Sequence, residues 1–163
     1  MSYTITNPRL GMQPIAVTDT TQNHPLGTIV HATDPTYGEG EFIYLKGVAS
    51  TAVGDWVSYQ GSSGATTRWA GTAGEGRPLA VAMSANVANQ YGWYQIAGNA
   101  VANISGTVAA GDKVFWQATA VTSSTQVNGK QVQDAIAGGA NGTPASGQAV
   151  ITMQRPSVQG QIV

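Results

Sequence analysis

From Leu26 onward, apolar residues come in short runs separated by Gly, Asn, Asp and Ser, and each run is too brief for a stable helix. Residues 27–32, 41–46, 55–59 and 78–83 are four such runs, rich in β-branched and aromatic side chains. Residues 92–96, 99–104, 113–116 and 148–153 are four more. Within 41–46, Phe42 and Tyr44 point one way while Ile43 and Leu45 point the other, so this strand is expected to lie between two layers. Gly98-Asn99 has the chemistry of a two-residue turn and predicts a hairpin joining 92–96 to 99–104. Residues 131–136 place Val132, Ala135 and Ile136 at helical spacing and predict one or two helical turns, the sole helix expected. The pattern predicts an all-β fold: a single compact sandwich or barrel, jelly-roll-like, of short antiparallel strands over residues 23–163.

Residues 1–22 differ. Pro8 and Pro14 interrupt them and their apolar residues come in small pieces, which predicts an extended N-terminal arm. Such an arm either frays or orders by lying along a neighbouring subunit. One internal echo stands out. Residues 52–60 align with 109–117: Ala, Gly-Asp, a Val two positions on, an aromatic residue and Gln recur in order. Glycine provides a left-handed backbone position and Asp bonds the turn, so the simpler account is a favourable turn-to-strand starter used twice; the other is a duplication.

Composition changes the picture more than any motif does. The chain has 163 residues, of which 42% are hydrophobic, enough for a core of one domain. Yet only 9% are charged, with seven basic and eight acidic residues and a net charge of −1. An ordinary soluble domain carries about 25%. A surface so poor in ions is cheaply dehydrated against another protein, which favours association. The absence of cysteine removes disulfides, thiolate chemistry and Cys-type zinc sites. The basic residues are scattered singly, so no stripe for nucleic acid forms, and no apolar run is long enough for a membrane helix. The N-terminus lacks the pattern of a secretory signal, which leaves Asn103-Ile104-Ser105 and Asn141-Gly142-Thr143 as chance glycosylation matches.

Catalytic patterns are not met. Gly61-Ser62-Ser63-Gly64 is a loop and not a nucleophile elbow, and residues 71–77, although glycine-rich, lack the Lys-Ser/Thr of a phosphate loop. His24 and His31 fit no metal-ligand spacing. Glu39 and Glu41 lie two apart at a strand entrance; an acid/base pair is one reading and solvation of an edge the commoner one. Trp56 and Trp116 follow the two Gly-Asp turns and read as core or subunit-contact anchors. Trp69, Trp93 and Tyr94 are the candidates for stacking on sugar rings.

Asn23-His24-Pro25-Leu26-Gly27-Thr28, residues 40–48, Val81-Ala82-Met83-Ser84-Ala85 and residues 90–98 together resemble structural proteins from the head-assembly regions of tailed bacteriophages. The chain looks like a head decoration, or capsid cement, protein. That resemblance implies a virion structural protein on the outer surface of the expanded capsid, a homo-oligomer (dimer or trimer) that bridges major capsid protein subunits. It implies neither catalytic residues nor cofactors, metals, nucleic acid or membrane as partners. The contacts to the capsid or to sister subunits are then expected from Pro8, Arg9, Ile15 and Val17 of the arm and from Trp69, with Arg9 facing an acidic capsid patch. The alternative is a carbohydrate- or receptor-binding β module on the virion surface; a small hydrolase ranks last.

Overall fold

The computed structural model describes residues 2–6, 11–68, 75–117, 120–123 and 126–160. The fold is all-β. Its strands are β1 (Thr4–Ile5), β2 (Ile29–Asp34), β3 (Gly38–Lys46), β4 (Trp56–Tyr59), β5 (Thr66–Thr67) and β6 (Leu79–Ala82), then β7 (Tyr91–Asn103), β8 (Lys113–Gln117), β9 (Ala120–Thr122), β10 (Gln131–Ala137) and β11 (Gln148–Val158). All pairings between strands are antiparallel, in the order β1-β2-β3-β7-β11-β10-β8-β9. A branch of β6, β4 and β5 leaves this path at β7. A bridge between Pro78 and Ser157 brings the start of the branch back onto the end of β11, which gives the sandwich its barrel-like closure.

Alternation explains where the layers lie. In β3, Phe42 and Tyr44 pack with Val30, Ala32 and Trp93, while Ile43 and Leu45 pack with Val57, Ala80, Tyr94 and Ile96 on the opposite face. The expected sandwiched strand is therefore present. All four residues of β6 are buried for a related reason: Leu79 and Val81 face a third core, which contains Trp56 and Trp116, whereas Ala80 and Ala82 face the Ile43 side. Trp56 and Trp116 are both fully buried and meet edge to face, with ring centroids 6.4 Å apart. They are core anchors.

Three expectations are corrected. The predicted hairpin at Gly98-Asn99 is one continuous strand, β7, because β11 provides an unbroken ladder from Ala97 to Asn103. Gly98 does adopt a positive φ of 94°, but it serves close approach and not reversal. A Cβ there would lie 2.3 Å from the Glu39 carbonyl oxygen, beside a register shift between Glu41 and Phe42. The predicted helical turn at 131–136 is β10, paired with β8 and β11. The register shifts at Asp134, whose φ is 58°, and against β8 this strand carries extra residues, so Val132 and Ala135 both face inward at a spacing of three. That insertion imitates helical periodicity.

The faint echo at 52–60 is a third correction, since it is the visible part of a structural duplication. Pairing of Lys46 with Tyr91, Tyr44 with Trp93 and Phe42 with Gln95 recurs as Asn103 with Gln148, Val101 with Val150 and Asn99 with Thr152, each residue 57 positions later. The turns recur too. Asp55 accepts the Ala52 N–H at 3.0 Å, and Asp112 accepts the Ala109 N–H at 2.9 Å. Gly54 donates to the Ala82 carbonyl at 2.8 Å, and Gly111 to the Ala137 carbonyl at 2.7 Å. Ile43, Leu45, Val57, Tyr94 and Ile96 of one core are matched by Ala100, Ala102, Val114, Ile151 and Met153 of another. Two units, β3 to β7 and β7 to β11, thus share the long strand β7. A recurring turn alone would not reproduce cross-strand partners so far from it.

Candidate interaction surface

Among the described residues, the apolar side chains of the segment before β2 pack on the first unit. Tyr3, Ile5, Met12, Ile15 and Leu26 pack over Val30, Phe42, Tyr44 and Trp93, and Tyr3 meets the Phe42 ring edge to face at 4.8 Å. Gln13 is the polar hub beneath it. Its side-chain amide donates to the Val17 and Tyr91 carbonyls, its Oε1 accepts from Tyr44 Oη at 3.1 Å and Asn23 Nδ2 at 3.2 Å, and its carbonyl accepts from Trp93 Nε1 at 2.9 Å. His24 Nε2 accepts the Gln13 N–H at 3.2 Å. Burying so many polar groups costs little when each finds a partner.

At the opposite end of the segment, β1 pairs with β2, and the Ser2 N–H bonds the Asp34 carboxylate. Burial alone raises the Asp34 pKa, but the N–H groups of Ser2, Thr36 and Tyr37 outweigh it and hold the carboxyl below its ordinary value. Burial also pushes the phenols of Tyr3 and Tyr94 up to about 12. The described part of residues 1–22 is thus bound to its own body, which gives the expected arm a ledge on this chain.

The individual expectations divide accordingly. Pro8, Arg9 and Trp69 lie outside the described residues. Ile15 is only 3% exposed inside the Trp93 cluster, so its side chain is committed to this chain's own core and does not reach outward as expected. Val17 is 47% exposed and is open to a partner. Trp93 and Tyr94 are fully buried, which leaves the sugar-stacking platform without two of its three rings. Glu41 stands directly across from His31 and is bound by Arg155 at 2.9 Å, so it is a paired surface acid at a shallow recess. Among the described residues no group of three or more His, Asp and Glu side chains converges as metal ligands do.

Sequence reasoning missed Gln13 and Asn99. Asn99 joins three elements: its carbonyl accepts from Tyr3 Oη at 2.8 Å, its Nδ2 donates to the Tyr37 carbonyl, and its Oδ1 accepts from Thr152 Oγ1. Reading Asn99 as a turn residue hid this role; extending the 52–60 echo outward by pairing register is the signal that finds it. Comparison with protein-family models, curated proteins and solved structures finds no match to this chain.

Proposed function

We propose that the chain is a decoration protein of a tailed-bacteriophage head, a structural subunit that binds the outer surface of the expanded capsid and bridges neighbouring major capsid protein subunits. The observation that supports this reading best is the poverty of free ions. Of the seven basic and eight acidic residues, Arg68 pairs with Asp55, Arg77 with Glu75 and Arg155 with Glu41. With 9% of the residues charged, and three ion pairs made among the described residues, a broad face presents few ions to strip of water. Val17, Ile29, Val53 and Ile136, all more than two-fifths exposed, leave apolar area open on the surface.

The role is mechanical. A subunit that binds across an edge of the expanded lattice, and poorly to the immature one, stabilises the expanded form by the difference in affinity. Many symmetry-related copies then need only modest contacts each, because bridging raises the effective concentration of the neighbouring contact. The chain acts as a dimer or trimer with the major capsid protein as its partner. The test is reconstitution on gradient-purified expanded heads lacking the protein. Saturable binding at fixed high copy number, with heads that withstand higher temperature, is expected. Recovery only in the soluble fraction, with heat resistance unchanged, overturns the reading.

A further inference from the structure

The duplication shows which face of the second unit faces outward. In the first unit Trp56 pairs with Val81, and Val81 with Gln95, in one row across β4, β6 and β7. In the second unit Lys113 pairs with Ile136, and Ile136 with Thr152, in the same row across β8, β10 and β11. Backbone bonds fix the match. Ala82, next to Val81, donates its N–H to the Asp55 carbonyl at 2.9 Å, and Ala137, next to Ile136, donates to the Asp112 carbonyl at 2.9 Å. The two rows meet different fates. Trp56 and Val81 are fully buried in the core that holds Trp116, Val132 and Met153 of the second unit. Lys113 and Thr152 are exposed, and Ile136 is 47% exposed.

The outward row lines a recess of about 350 Å³, to which Val132, Ala135 and Met153 add apolar wall. Asp134 lines it too, brought there by the register shift in β10. Lys113 and Asp134 are both exposed, and neither is in an ion pair among the described residues. A patch with one free charge of each sign beside an exposed isoleucine is complementary to itself. A twofold axis through it sets Lys113 of each copy against Asp134 of the other and brings the two Ile136 side chains together.

We propose that this recess is the contact through which two copies of the chain associate as an isologous dimer. The inference deepens the capsid reading, on whose oligomer it rests, by naming the surface where copies meet. Ile136 supplies the apolar centre of the contact, and the two ion pairs fix its orientation. The chain holds its own precedent, since the equivalent row at Trp56 is covered by a unit of the same design. A net charge of −1 adds little repulsion between copies. Lys113 stands where the first unit has Trp56, so the head-to-tail stacking of units stops here and gives way to a contact that closes on itself.

Sedimentation equilibrium of the full-length protein tests this directly, and a reversible monomer–dimer equilibrium is expected. Ile136→Lys and Lys113→Glu, both at exposed positions, are each expected to weaken the dimer about tenfold or more while the melting temperature holds. The chain has no cysteine, so Ile136→Cys introduces a single thiol. Mild oxidation is expected to join two copies of that variant, whereas Val17→Cys, at a position equally exposed at 47%, does not cross-link. A monomer up to millimolar concentration, a trimer, a dimer that both substitutions leave intact, or equal cross-linking of the two cysteine variants overturns the proposal. Monomeric protein that still binds heads at fixed copy number removes this contact and leaves the capsid reading standing. A dimer that Ile136→Lys breaks, from protein that does not bind heads, does the reverse.

Discussion

At the scale of single residues, space and backbone conformation make separable demands on glycine. Gly47 lies where a Cβ would come within 2.1 Å of the Asn86 carbonyl oxygen and 2.4 Å of that of Val87. Both obstacles are main chain, so Gly47→Ala is expected to cost about 3 kcal/mol, the upper end for overpacking. Gly111 has open space around its missing Cβ but a φ of 87°, so Gly111→Ala pays only for the left-handed backbone, about 1 kcal/mol. Urea unfolding of the two variants checks the ranking; equal losses would mean that the contact at Gly47 relaxes. The buried phenols give a second prediction. Tyr3 and Tyr94 keep their protons in the folded state up to about 12, whereas an unfolded tyrosine releases its proton near 10. The folded state therefore binds more protons in that interval, and stability that is complete below pH 10 declines as pH rises towards 12. Chemical denaturation at a series of alkaline pH values, with tyrosinate absorbance followed in parallel, is expected to show the loss; Tyr94→Phe should reduce its steepness.

At the scale of elements, the N-terminal ledge and the aromatic face of the first unit depend on each other. The second unit has Asn99, Val101 and Val150 where the first has Phe42, Tyr44 and Trp93, and needs no cover of that kind. Deletion of residues 2–22 is expected to bare Phe42 and Trp93, producing dye binding to exposed apolar surface, a red shift of tryptophan emission and aggregation. Retention of native emission by the shortened chain would show that the face is covered by something else. The same elements show how far the fold is legible from residues alone. Strands such as β3 and β6 announce themselves, because consecutive buried β-branched and aromatic residues between turn formers have few other uses. β7 and β10 do not, since a bulge shifts the alternation by one residue and makes a strand look like a turn or a helix. Gly98 and Asp134 are the residues responsible. The interaction surface was less legible still: Val17 is 47% exposed and Ile15 is buried, a difference their shared apolar character does not display.

At the scale of the whole molecule, the sparse charge decides what kind of association the chain is suited to. A surface that bound through ion pairs would lose affinity steeply with salt, because exposed charges are screened beyond about 8 Å at physiological ionic strength. Here three pairs are already made among the described residues, one of them Arg155 with Glu41. The contacts expected from Val17, Ile29 and Ile136 are apolar, and burial of apolar area is strengthened rather than screened by kosmotropic salts. Binding to expanded heads is therefore expected to change less than about threefold between 0.1 and 0.5 M sodium chloride, and to tighten in sodium sulfate. Sedimentation of heads with labelled protein at each salt measures both. A loss of tenfold or more over that range would assign the contact to unpaired ions such as Lys113 or Lys130. The low charge would then be a property of the rest of the surface, and the cost of stripping ions of water would no longer support the proposed association.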